Sequence, residues 1–388
     1  KIKSSKKPLL IAGGGVKYSG AENELKQLVE LTGVPFAVTQ AGKSCLDETS
    51  SQFVGSIGVT GSSSANQLAK ESDLVISVGS RLQDFTTGSN TLITSSMISI
   101  NIQNHDVIKH NSITLLGDAK VSLDLIVNKI GHFCISENYK NDIQKLKSLW
   151  DEEVNKVTVK SDKNSLPSDS QVIGAINRNV PKETIVIGAA GSMPGELHKL
   201  WNSHKIHGYH MEYGFSCMGY EIPAGIGVYL AEPNRPNIIF AGDGSYMMMN
   251  SELATAVMMG VSTTVVVTDN RGFGCINRLQ KSTGSEPFNN LFKDSFHRDL
   301  PNIDYVAHAR SMGANSEKAN SLEELEILVK KCINSKEVNV IVIDTDPDQS
   351  TEAGGTWWDV AIPSVSPNKN INKAFNNYIS KKKNYRDK

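Results

Sequence analysis

Short apolar runs alternate along the chain with amphipathic stretches, which is the pattern of strands alternating with helices. Residues 8–13 (PLLIAG) form an apolar run that ends in Gly13, Gly14 and Gly15. Residues 21–31 follow, with Leu25, Leu28, Val29 and Leu31 at helical spacing. Residues 34–38, 73–78 and 97–102 read as three more strands, and residues 116–127 as a closing helix. The alternation restarts further on. Residues 184–187, 237–241, 263–268 and 338–344 are strand candidates, and residues 251–259 and 321–333 are helix candidates. Strands that alternate with helices form a parallel sheet covered on both faces. The expected fold is therefore α/β, with two doubly wound parallel-sheet domains.

The polar stretches divide these units. Residues 135–168 are rich in Lys, Asp, Asn and Ser, with helical spacing around Leu146, Leu149 and Trp150. The expected organisation is a first domain over 1–134, a helix and linker over 135–167, a second domain over 168–365 and a basic tail over 366–388. The tail reads as a solvated last helix or a frayed end.

Composition narrows the function classes. The 388 residues are 39% hydrophobic and 21% charged, enough to bury sizeable cores. Lys plus Arg is 40 against 41 for Asp plus Glu, so no basic field points to nucleic acid. The longest apolar runs fall far short of the ~20 residues a spanning helix needs, so no membrane partner is expected. Residues 1–7 are basic, but only five apolar residues separate them from the three glycines, which is too few for a signal peptide. Five widely spaced cysteines (Cys45, Cys134, Cys217, Cys275, Cys332) without a CxxC suit reduced thiols and a cytoplasmic protein. The chain begins at Lys1 rather than Met and reads as a fragment.

Three local patterns are weak. Residues 37–44 fit a loose phosphate-loop spacing ending in Lys43-Ser44, but the next residues lack the helical pattern that such a loop needs. Gly13-Gly14-Gly15 misses the GxGxxG spacing because position 18 is Tyr, and reads as a tight strand-to-helix turn. His204, His207 and His210 are three apart, but Gly208 interrupts them and no Glu or Cys stands at a matching spacing for zinc. No GxSxG is present.

One constellation is specific. The strand at 237–241 runs into Gly242-Asp243-Gly244-Ser245, and Asn270 stands just past the next strand, 27 residues after Asp243. Gly244 is expected to let the backbone turn tightly, so that amides and a helix start approach a diphosphate. Asp243 offers an anionic oxygen, Asn270 an amide oxygen and Gly272 a backbone carbonyl. With diphosphate oxygens and water, these complete an octahedral magnesium site. In a doubly wound sheet both positions fall at the carboxyl edge, where ligands bind.

The GDG followed by Asn at this distance resembles the thiamine diphosphate enzymes of the acetolactate synthase type. Residues 1–150 resemble their central domain and residues 168–360 their diphosphate-binding domain. The resemblance narrows to the inositol-catabolic ring hydrolases that act on a trihydroxycyclohexane-1,2-dione. It is carried by SRLQDFTTGS (80–89), GSMPGELHKLW (191–201), YHMEYGFSCMGYEIPAGIG (209–227), DNRGFGCINRLQ (269–280) and TWWDV (356–360). Acetolactate synthases do not usually carry Glu221 in the MGY segment, nor the paired Trp357-Trp358.

The resemblance implies that Asp243, Asn270 and the Gly272 carbonyl hold magnesium. It implies that Ser192, Gly242, Gly244, Ser245, Asn270, Gly274 and Cys275 bind the cofactor, and that Met218 props it into a bent shape. Core packing is an equally good use of a methionine there. The implied reaction is hydrolytic opening of a cyclic dione at a carbon–carbon bond, giving 5-deoxyglucuronate. His198, His207, His210 and Glu212 are proton-donor candidates by residue type and neighbourhood. Related enzymes carry an amino-terminal pyrimidine-binding domain whose glutamate activates the cofactor, and no residue here matches it. The implied catalyst is thus a homo-oligomer completed by that domain, and the chain alone is expected to be inactive. Two other readings stay open: a carboligase acting on pyruvate, and a non-catalytic thiamine diphosphate-binding module.

Overall fold

The computed structural model describes residues 1–159, 165–352, 354, 355 and 357–386, with side chains described up to 383. The chain divides into two compact units. The first comprises Lys1–Val159, Gly195–Tyr213 and Thr351–Thr356; the second comprises Lys160–Pro194, Gly214–Ser350 and Trp357–Lys388.

In the first unit six strands run in the order β3-β2-β1-β4-β5-β6, all parallel. They are β1 (Pro8–Ala12), β2 (Phe36–Val38), β3 (Phe53–Ser56), β4 (Leu74–Val78), β5 (Ser96–Asn101) and β6 (Ile113–Leu116). Every residue of β1 and β4 is buried, as expected of central strands covered by helices on both faces. Leu10, Ile11, Phe36, Ile76 and Ile98 pack into one core with Leu25, Leu28 and Val29 from the helix Glu22–Thr32. Gly13 closes the turn after β1, where a Cβ would stand 2.4 Å from the Gly79 carbonyl oxygen.

The strands β3 and β6 carry no apolar alternation in the sequence. Gly55 and Ser56 interrupt β3, and all four residues of the edge strand β6 are exposed. The expected boundary at 134 falls just before the helix Glu137–Val157, whose Tyr139 and Ile143 join the first core. Of the expected linker, residues 160–164 lie outside the described residues.

A short strand, β8 (Tyr209–Met211), lies within the 195–213 segment counted with the first unit. In the second unit the strands run β11-β12-β10-β9-β7, with every pairing parallel. They are β7 (Ile185–Gly188), β9 (Asn237–Gly242), β10 (Thr263–Asp269), β11 (Asn315–Ala319) and β12 (Val338–Asp344). β10 is buried throughout, and Ile187, Ile239, Val265 and Val340 share the second core. β11 (NSEKA) is a polar edge strand without an apolar run to announce it. The tail forms the helix Lys369–Arg386, and Trp358 packs on Tyr378 of that helix with ring centroids 6.4 Å apart. Thr356, the first residue of the TWWDV run, lies outside the described residues.

Among the described residues no helix is long and apolar enough to cross a membrane. No disulfide joins any of the five cysteines.

Candidate metal and cofactor site

Parallel pairing sets the ends of β7, β9 and β10 side by side, because β9 lies between the other two. At the end of β9, Gly242 caps a helix that begins at once with Asp243 (Asp243–Met248). Asp243 is 3% exposed, and its Oδ2 accepts a hydrogen bond from the Gly272 N–H at 2.9 Å. At the end of β10, Asp269 is buried; its Oδ1 accepts from the Arg271 N–H at 3.0 Å and its Oδ2 lies 3.3 Å from Arg271 Nε. Next to it Asn270 is 9% exposed, and its Oδ1 is buried without a hydrogen-bond partner.

The backbone after Asn270 turns sharply. Arg271 has φ 62° and Gly272 has φ 140°. A Cβ on Gly272 would stand 2.4 Å from the Asn290 carbonyl oxygen, so glycine is required there both by conformation and by space. The turn delivers Gly274 to the start of the helix Gly274–Ser282, with Cys275 behind it. A Cβ on Gly274 would stand 3.2 Å from Asn270 Nδ2. Asn277 in the same helix is fully buried, and its Oδ1 also lacks a partner.

Gly244 plays a different part from the tight turn expected of it. Its φ is not in the left-handed region, and a Cβ there would meet the Phe273 ring at 2.7 Å and Met218 Cε at 3.2 Å. Its missing side chain makes room for neighbours over the first turn of the helix. Met218, half-buried, is one of those neighbours. Ser245 is buried in the same turn. Ser192, after β7, donates its hydroxyl hydrogen bond to Asp169 Oδ2.

The electrostatics favour a cation. Burial, and then the charge of Asp269, push the Asp243 carboxyl up to about 7. Burial raises Asp269 as well, against the pull of Arg271. A buried carboxylate and an unpaired amide oxygen cost free energy unless something neutralises and coordinates them. The available donors are all hard oxygens: a carboxylate, an amide and a backbone carbonyl. That set suits magnesium. Among the described residues no group of three His, Cys, Asp or Glu side chains is placed to hold a metal ion, so the histidine trio does not form a zinc site.

The four proton-donor candidates belong to the 195–213 segment, which is counted with the first unit. His198 is buried, with Nδ1 3.0 Å from Thr60 Oγ1; burial, and then the charge of Lys43, push it down to about 3. His207 Nε2 stands 3.4 Å from Glu22 Oε1. Burial, and then the charge of Lys17, lower His210. Glu212 is half-buried. Lys43, from the loose phosphate-loop pattern, is 1% exposed and locked to Glu48 Oε2 at 2.8 Å, with no freedom to meet a phosphate.

Two family models match the chain. Residues 189–343 match the model of the thiamine pyrophosphate enzyme C-terminal TPP binding domain, and residues 1–126 match that of the thiamine pyrophosphate enzyme central domain. The chain belongs to the thiamine pyrophosphate enzyme family. Among its relatives in this family is the 3D-(3,5/4)-trihydroxycyclohexane-1,2-dione hydrolase of Clostridium tetani, 37% identical over 99% of this chain and 65% of the relative. The proteins of the same name from Geobacillus thermodenitrificans and Clostridium botulinum (strain Eklund 17B) are each 35% identical over 97% of this chain and 63% of their own length. The chain thus spans less than two thirds of these relatives. The Asp243–Gly272 pair and Asn270 all fall within the segment matched to the TPP binding domain.

Two features here lay beyond sequence reasoning. Asp269 completes the acidic pair, and its only signal is its place beside Asn270 at a strand end. Asn277 has its unpaired oxygen one helical turn into the helix after Gly274; it lies inside the DNRGFGCINRLQ segment, but the pattern assigns it no role.

Proposed function

We propose that the chain is the magnesium- and thiamine diphosphate-holding part of an enzyme that opens 3D-(3,5/4)-trihydroxycyclohexane-1,2-dione by hydrolysis of a carbon–carbon bond. The observation that carries this reading is the unpaired, buried Asn270 Oδ1 beside Asp243, in a chain that aligns nearly end to end with relatives of that name. Asp243, Asn270 and the Gly272 carbonyl would hold magnesium. Gly242, Gly244, Ser245, Gly274 and Cys275 would line the diphosphate, with Ser192 and Met218 at its border. When bound, thiamine diphosphate supplies the carbon nucleophile that makes cleavage between two adjacent carbonyls feasible.

The chain's own residues bind and orient. Asp243 stays fixed by the Gly272 N–H, so its second oxygen keeps one direction. His198 stays neutral and buried, which suits a structural post better than an acid. The resemblance implies an activating glutamate from an amino-terminal domain and a site shared between subunits, and no residue of this chain matches that glutamate. Catalysis is therefore assigned to a homo-oligomer of the longer protein, in the cytoplasm, and not to these 388 residues alone.

The test supplies the longer protein with magnesium, thiamine diphosphate and either the dione or pyruvate, and follows products by mass spectrometry. 5-Deoxyglucuronate from the dione, absent in Asp243→Ala, supports the reading. Acetolactate from pyruvate with no turnover of the dione overturns it in favour of a carboligase.

A further inference from the structure

Glu221 opens the helix Glu221–Ala231 and is 1% exposed, yet it forms no ion pair among the described residues. Its carboxylate instead gathers two uncharged backbone donors. Oε1 accepts from the Ala190 N–H at 3.4 Å, and Oε2 accepts from the Gly219 N–H at 2.9 Å. The buried Ser245 side chain also favours the charged carboxylate. Ala190 follows β7, Ser245 follows β9, and Gly219 stands next to Met218 in the loop before the helix. At Gly225 the helix packs on the Ile239 side chain of β9, whose Cδ1 stands 2.1 Å from where a Cβ would be.

A buried carboxylate with no cation beside it is an expensive way to fill space. An apolar residue would pack the same volume at lower cost. Burial raises the Glu221 carboxyl above its ordinary value, and only the hydrogen bonds counter that. What the carboxylate does that an apolar side chain would not is fix two backbone amides, one in the loop that carries Ser192 and one beside Met218. Ser245, in the first turn of the helix after β9, favours its charge.

We propose that Glu221 is a positioning residue that ties the loop after β7 to the Met218 loop, next to the helix that opens after β9, and so sets the shape of the diphosphate cradle. This inference rests on the reading of that cradle as the thiamine diphosphate site. Glu221 would act through the Ala190 and Gly219 amides rather than by touching the diphosphate. Its effect falls on affinity for the diphosphate end of the cofactor.

The experiment titrates the intact protein with thiamine diphosphate at saturating magnesium, by calorimetry, for wild type, Glu221→Gln and Glu221→Ala. The glutamine keeps the volume but turns an NH2 group toward a donor. It is expected to weaken binding about 10-fold while the apo melting temperature stays near wild type, within the range for residues that support a ligand shell from behind. Magnesium with inorganic pyrophosphate is expected to lose the same factor, which places the effect at the diphosphate. If Glu221→Ala fails to fold, Glu221→Gln decides. Wild-type affinity in Glu221→Gln, or a lower melting temperature with unchanged affinity, overturns the inference and leaves the cofactor reading standing. No binding by the wild-type protein overturns both.

Discussion

The Gly272 N–H donates to Asp243 Oδ2 at 2.9 Å and so joins the ends of two neighbouring strands, β9 and β10. The bond depends on Gly272 holding φ 140°, with the Asn290 carbonyl where a Cβ would go. Gly272→Ala must shift that turn or strain it, at a cost of about 1–3 kcal/mol. Thermal unfolding should show a lower midpoint, and magnesium-dependent cofactor binding should weaken with it. An unchanged midpoint contradicts the strain.

Lys43 and Glu48 form a fully buried ion pair, and Glu48 also accepts from the N–H groups of Ser44 at 2.9 Å and Ser203 at 3.1 Å. Glu48→Ala leaves a buried ammonium and two amides without their acceptor. Removing one partner of a buried pair costs about 3–5 kcal/mol. Urea unfolding should show that loss in the first unit. A loss under about 1 kcal/mol, the scale of an exposed pair, contradicts it.

His198 gives stability a pH dependence. Its folded value lies at about 3, below the 6.5 of an ordinary histidine. Between those values the unfolded chain binds a proton that the folded chain refuses. The contribution of His198 is therefore complete above the ordinary value and is lost as pH falls toward the folded one. The slope is about 1.4 kcal/mol per pH unit within that window. Urea titrations at several acidic pH values should show wild type losing stability more steeply than His198→Gln. Parallel slopes rule out a buried neutral imidazole.

Glu196 anchors the segment that leads to the paired tryptophans. Its Oε1 accepts from the Thr351 N–H at 3.2 Å and from Lys199 Nζ at 3.0 Å, and its Oε2 accepts from the Thr351 hydroxyl at 2.5 Å. Glu196→Ala releases Thr351 and leaves Lys199 with only the Thr351 carbonyl among its partners shown here. Limited proteolysis near residues 351–355 should become faster in the variant. Equal rates in both proteins would show that other contacts hold the segment.

The central strands were legible because each is a short apolar run between polar breaks: residues 8–12, 74–78, 263–269 and 338–344 form β1, β4, β10 and β12. β3, β6, β8 and β11 were not: Gly55 and Ser56 interrupt β3, β6 is a fully exposed edge strand, β8 is a three-residue strand with a central histidine, and β11 is a polar edge strand. The Asp243–Asn270 pair was legible because glycines and strand ends frame both residues. The structural use of Lys43 and Glu48 was hidden, because a buried ion pair between loop residues leaves no periodic mark. Glu221 stood out as an unusual residue, but its proposed task depends on amides from two separate stretches of chain. The placement of His198 likewise follows from tertiary burial, which residue type alone does not reveal.

The most direct test of the cofactor site is calorimetric titration of thiamine diphosphate into the intact protein, with and without magnesium, for wild type, Asp243→Ala and Asn270→Ala. The expected result is magnesium-dependent binding in wild type that both substitutions abolish or weaken by about 10- to 100-fold, with folding retained by circular dichroism. Binding of equal strength in folded Asp243→Ala and wild type would contradict the assignment of this cluster as the magnesium and diphosphate site.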